Sequence, residues 1–143
     1  MTETKIVIEN NIEYTVKVYN NGTKHWFLNS KLHREDGPAC ESANGTKEWY
    51  LNDKIHRVDG PAIESVNGNK HWFLNSKLHR EDGPAFEDAN GNKEWYYNGK
   101  IHREDGPAFE SANGTKEWYY HGKEFKVNNN EEFLRLMKIK AFL

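Results

Sequence analysis

Five tryptophans, Trp26, Trp49, Trp72, Trp95 and Trp118, recur at one fixed interval of 23 residues. His33, His56, His79 and His102 keep the same interval, each followed by Arg34, Arg57, Arg80 or Arg103. Asp36, Asp59, Asp82 and Asp105 keep it too, each followed by Gly-Pro-Ala. The unit reads N-G-[TN]-K-[HE]-W-[FY]-[LY]-N-x-K-[LI]-H-R-x-D-G-P-A-x-E-x-[AV]. It is complete four times, and a fifth copy from Asn113 departs after Lys123, where "EFKV" replaces "IHRE". A fixed period of this length marks stacked supersecondary units, none of which can bury its apolar face alone.

Aromatic runs bounded by Asn-Gly pairs predict β-hairpins rather than helices. With Asn98-Gly99 as a two-residue turn, Tyr97 faces Lys100, Tyr96 faces Ile101, Trp95 faces His102 and Glu94 faces Arg103. The same register sets Glu48 against Arg57, Trp118 against Phe125 and Glu117 against Lys126. Opposite charges across a ladder stabilise by roughly 0.2–1 kcal/mol. For the second turn, a two-residue loop at Asn90-Gly91 would oppose Glu87 and Glu94, two like charges. A three-residue loop, Ala89-Asn90-Gly91, opposes Glu87 and Lys93 and puts Gly91 at the left-handed position of a type I turn plus bulge. It also pairs Glu41 with Lys47, Glu64 with Lys70 and Glu110 with Lys116. The three-residue loop is therefore preferred.

The expected fold class is an all-β repeat: an elongated antiparallel β-meander of 23-residue hairpin units with a short C-terminal capping α-helix. One domain is expected over 1–143, with an N-terminal strand cap at 1–20, repeats at 21–123 and a strand-and-helix cap at 124–143. Ile12, Tyr14, Val16 and Val18 alternate onto one face of a strand, and "KIVIEN" pairs with it through an Asn10-Asn11 turn. Asn129 followed by Glu132 is a helix-capping signal. Phe133, Leu136, Met137 and Lys140 then share a helical face that covers the open end of the sheet or, in the alternative, meets a partner.

Composition narrows the function. Formal net charge is −2 and the pI is near 6.4, against the basic stripe of a nucleic-acid binder. The lone cysteine, Cys40, leaves no intrachain disulfide framework and suits a reducing, cytoplasmic setting. No long apolar run suggests a leader or a membrane span. The His-Arg-x-Asp cluster has the residue types of a general base or a metal site. It recurs four times, however, and equivalent histidines two strands apart would lie about 10 Å from one another, too far to share an ion. Each member also has a structural task. Asp105 can accept turn amides, Gly106 can take an unusual backbone angle, His102 can lie on Trp95 and Arg103 can pair with Glu94. No catalytic, cofactor-binding or metal residues are expected, and no cofactor. The candidate partner-binding residues are Arg34, Arg57, Arg80 and Arg103 with Tyr50, Tyr96 and Tyr119. The arginines are expected to be neutralised largely by the interleaved carboxylates.

"YYNGKIHREDGPAFESANG" resembles the MORN repeat, and also the repeats of YwqK-type antitoxins. It is most similar to the W-Y-x-N-G-x-x-H-R-x-D-G-P-A repeat proteins of phages, giant DNA viruses and some bacteria. The similarity spans roughly residues 21–123. It departs from MORN units where "HREDGPA" replaces a simpler H-G-x-G. The resemblance implies a β-sheet scaffold for protein contacts, without catalysis, in a phage or viral inhibitor or antitoxin-like binder of a host protein. Against it stands a small-ligand reading, in which the arginine and aromatic rows hold a nucleotide or a phosphoinositide. Homo-oligomerisation through sheet edges is a further expectation left open.

Overall fold

The computed structural model describes residues 1–141; Phe142 and Leu143, the last two residues of the expected C-terminal cap, lie outside them. The chain forms an antiparallel β-hairpin meander of many short strands ending in one helix. It divides into two compact units, Met1–Lys77 and Leu78–Leu143.

The first unit opens with a long hairpin. Strand β1 (Glu3–Glu9) and strand β2 (Ile12–Val18) are joined by Asn10 and Asn11, both in the left-handed region at φ 52° and 65°. Asparagine tolerates that conformation better than most residues, as a primed two-residue turn requires. β2 pairs with β3 (Lys24–Leu28) in a register that sets Val16 against Trp26. Cys40–Glu41, Lys47–Glu48, Ile63–Glu64 and Lys70–His71 then add in order. The core of this unit is Tyr14, Val16, Trp26 and Ala39, flanked by Val7, Ile12, Val18, Leu28 and Tyr50. Tyr14 and Trp26 meet edge to face at 5.5 Å.

The second unit repeats the scheme with Phe86–Glu87, Lys93–Glu94, Phe109–Glu110, Lys116–Tyr120 and Lys123–Phe125. The register of the longer turn is the one that separates like charges. Glu87 faces Lys93 and Glu110 faces Lys116, as Glu41 faces Lys47 and Glu64 faces Lys70 in the first unit. Gly91 takes φ 96° inside a loop closed by the Asp88 amide donating to the Asn92 carbonyl at 3.1 Å. Helix α1 (Asn130–Ala141) is capped as its sequence signals: the Glu132 amide donates to Asn129 Oδ1 at 2.9 Å. Phe133 is fully buried and meets Phe125 edge to face at 5.6 Å. Trp118 Nε1 donates to Asn130 Oδ1 at 2.7 Å, tying the last long strand to the helix start.

One feature differs from a continuous meander. Strand pairing breaks at Trp49 and Trp95, so the aromatic hairpins Tyr50–Leu51/Lys54–Ile55 and Tyr96–Tyr97/Lys100–Ile101 stand apart from the main ladder. Their turns keep the expected register, with Tyr96 opposite Ile101 and Tyr97 opposite Lys100.

Candidate functional site

Each aromatic hairpin is fastened at its tip to the module before it. The first turn residue donates its amide to a histidine Nδ1: Asn52 to His33 at 3.0 Å, Asn75 to His56 at 3.0 Å, Asn98 to His79 at 2.9 Å and His121 to His102 at 2.8 Å. The second donates to a backbone carbonyl of that module: Asp53 to Leu32, Ser76 to Ile55, Gly99 to Leu78 and Gly122 to Ile101. The arginine after each histidine returns a bond, its amide donating to Tyr50, Phe73, Tyr96 or Tyr119. An Nδ1 that accepts is unprotonated, so these imidazoles carry their proton on Nε2 when neutral. The His102 amide donates to the Trp95 carbonyl at 2.9 Å across the hairpin. Its ring stacks on His121 at 4.0 Å, with Nδ1 reaching the next turn. Burial, and secondly the charge on His121, hold its pKa below the ordinary imidazole value, with Glu104 pulling the other way.

The arginines fold back over the tryptophans. The Arg103 guanidinium lies 4.0 Å from the Trp95 ring, and those of Arg57 and Arg34 lie 3.9 and 3.6 Å from Trp49 and Trp26. Arg103 Nε donates to Asp105 at 3.0 Å and Nη1 donates to the Pro107 carbonyl at 3.1 Å, with Glu110 at 3.5 Å. Arg57 repeats this with Asp59, the Pro61 carbonyl and Glu64, and Arg80 with Asp82, the Pro84 carbonyl and Glu87. Arg34 instead grips Glu9 of β1 with two nitrogens, at 3.2 and 2.9 Å. The expected cross-strand pairs Glu94–Arg103 and Glu48–Arg57 are therefore replaced by pairs within each loop. Glu94 accepts from the Tyr96 hydroxyl instead. In the divergent copy the ladder ends at Trp118–Phe125, and Lys126 pairs with Glu124 rather than Glu117.

This packing corrects the role of Gly106. Its φ is not positive; a Cβ there would sit 2.9 Å from the Arg103 guanidinium carbon, and Gly37, Gly60 and Gly83 repeat the relation with their own arginines. The glycine makes room for the folded-back side chain.

What remains outside is acidic. Asp82 and Asp105 give one oxygen to an arginine, yet their side chains stay 89% and 87% exposed. Glu81 and Glu104 are 76% and 72% exposed, each 3.6–3.7 Å from a histidine Nε2. Between these two loops of the second unit runs a groove of about 840 Å³, floored by Trp95, Tyr96, Tyr97, His102 and His121. Its four rim carboxylates outnumber the two guanidiniums beside them, Arg80 and Arg103, leaving two formal negative charges. The first unit has a smaller counterpart of about 640 Å³, where Glu35, Asp36 and Asp59 surround Trp49, Leu51 and His56. There Val58 takes the position of the rim glutamates.

The candidate arginines are thus brought into equivalent settings, but half-buried and already bonded. The candidate tyrosines are half-buried as well. Tyr50 packs on the first core, and Tyr96 lines the groove. The Tyr119 hydroxyl donates to Glu117 at 2.8 Å; that bond leads the causes that push its pKa up to about 12. The exposed carboxylates belong to the "HRED" run and are the most accessible charged groups of these loops. Among the described residues no three His, Cys, Asp or Glu side chains gather in a metal-binding arrangement, and no helix is long and apolar enough to cross a membrane. Compared with known proteins, the chain matches no family model and no curated sequence.

Proposed function

We propose that this chain is a non-enzymatic protein-interaction module whose H-R-x-D-G loops meet a basic segment of a partner. The observation that carries the reading is the second-unit groove: an aromatic and imidazole floor, a rim of exposed carboxylates, and arginines whose charge is spent internally. Aromatic surface supplies contact area at low entropic cost, and the acidic rim selects lysine or arginine side chains and speeds encounter. Tip-to-module bonds hold neighbouring loops in fixed spacing, so little ordering is required on binding. An inhibitor or antitoxin-like role, as the repeat resemblance implies, is the form such binding would take in a phage or virus acting in the cytoplasm of its host. The nucleotide or phosphoinositide reading is the weaker one, since it needs guanidiniums that are free to meet phosphate.

The test is capture of partners with the intact chain followed by zero-length carboxyl–amine cross-linking. Cross-links are expected between lysines of the partner and Glu81, Asp82, Glu104 or Asp105. Glu81→Gln with Glu104→Gln should weaken capture at least tenfold while the melting curve stays in place. Captured partners that never cross-link to the loops overturn the proposal. So does a thermal shift with nucleotides or phosphoinositide headgroups that is lost on Arg80→Gln.

A further inference from the structure

The first hairpin carries an interaction surface apart from the grooves. At seven residues β1 ties with β2 as the longest strand, and among the described residues it is hydrogen-bonded on one side only, to β2. Ile6 and Ile8 stand 61% and 69% exposed on it. A long, exposed, apolar edge is a template for another strand. Which strand it fits can be read from its backbone phase and its charges.

The two-residue turn at Asn10-Asn11 makes Glu9–Ile12 a hydrogen-bonded pair, and the alternation of an antiparallel ladder makes Val7–Tyr14 and Lys5–Val16 hydrogen-bonded too. The amides and carbonyls of Thr4, Ile6 and Ile8 consequently point outward. If a second copy pairs antiparallel with this edge about a two-fold axis normal to the sheet, residues of like face must meet, so the register centres on a residue. Centred on Lys5, it opposes two lysines. Centred on Ile6, it opposes Glu3 and Glu9. Centred on Val7, it sets Lys5 against Glu9 twice and Ile6 against Ile8 twice, and the outward groups of Ile6 and Ile8 bond each other. Centred on Ile8, it sets Val7 against Glu9 and joins no opposite charges. The Val7 register alone satisfies charge, apolar matching and backbone phase together. Glu9 is already held in place by Arg34 at 2.9 Å, so its carboxylate is oriented before the second copy arrives.

We propose that β1 is a homodimerisation strand, joining two copies of this chain antiparallel in the register centred on Val7. In that register Val7 meets its own symmetry mate as a non-hydrogen-bonded pair, with Cβ atoms about 4.5–5.5 Å apart, close enough for a small backbone adjustment to allow a disulfide. Sedimentation velocity on the intact chain over a hundredfold concentration range should show a monomer–dimer equilibrium. Lys5→Glu places two pairs of carboxylates opposite each other and should weaken association about tenfold or more. In a Cys40→Ala background, Val7→Cys should form an intermolecular disulfide under mild oxidation, whereas Ile6→Cys alone should not, because Ile6 faces Ile8. A monomer at every concentration overturns the proposal. So does a dimer indifferent to Lys5→Glu, or one that cross-links through Ile6→Cys and not through Val7→Cys.

Discussion

The backbone amide of His121 donates to Nδ1 of His102 at 2.8 Å, and the two imidazoles stack 4.0 Å apart at 25°. The bond requires a bare Nδ1, so protonating His102 turns an acceptor into a donor facing another donor. Burial foremost, and the neighbouring His121 charge next, lower the pKa of this ring in the folded chain. Burial lowers that of His71 as well. The unfolded chain therefore takes up these protons first as pH falls. Stability from both rings is complete above the unfolded value of about 6.5 and is lost as pH drops from there through the folded values. The midpoint of thermal unfolding should fall between pH 7.5 and pH 5, and His102→Gln should flatten that slope. An unchanged slope in the variant would refute the assignment.

The glycine beneath each arginine offers a second test. Gly106→Ala puts a methyl where the Arg103 guanidinium carbon lies 2.9 Å away, so the guanidinium must shift from its present seat on Trp95. A loss of about 1–3 kcal/mol is expected by chemical denaturation, the usual range for overpacking. Paired with Arg103→Ala, the glycine substitution should cost much less, because the clash has been removed. Additive losses in that double-mutant cycle would contradict the contact.

Ser76 holds φ 65° at the second position of a primed turn, where Gly99 and Gly122 stand in later copies. A left-handed conformation costs an L residue about 1–2 kcal/mol, and glycine recovers this while paying about 0.5–1 kcal/mol of extra chain entropy. Ser76→Gly should raise stability by a little under 1 kcal/mol, read as a shift of the urea midpoint at constant slope. Its amide bond to Ile55 at 2.8 Å is untouched by the change.

Cys40 is buried beside His25 in the ladder, and burial, with Glu48 second, pushes its thiol up to about 12. The thiolate is the reactive form. Labelling by a disulfide reagent at pH 8 should be slow in the native chain and should accelerate in step with unfolding by denaturant.

Much of the scaffold was legible in the residues because turns are local. Asn98-Gly99 can close only a primed turn comfortably, and the charges of Glu87, Lys93 and Glu94 choose the longer loop unaided. Asn129 and Glu132 announce the helix for the same reason. The arginine partners were not legible. Extending the hairpin register past Trp95 assumes an unbroken strand, whereas Arg103 gains more from the ring, two carboxylates and a carbonyl than from Glu94 alone. The histidine–turn bond spans 19 residues between modules, and a period repeats that spacing without revealing which atoms meet. The burial of the arginines was not legible for a related reason: arginine looks outward in a sequence, but here Arg103 packs on Trp95 and pairs with its own loop carboxylate.

The hook from each imidazole to the following turn points one way along the chain. In the last copy the position of that imidazole is held by Phe125, whose ring turns to Phe133 and has no nitrogen with which to receive another tip. The array thus carries its own terminator, one aromatic ring exchanged for another. Whole 23-residue blocks spliced in ahead of Phe125 should be received like any other link, while a block placed behind it would find no latch.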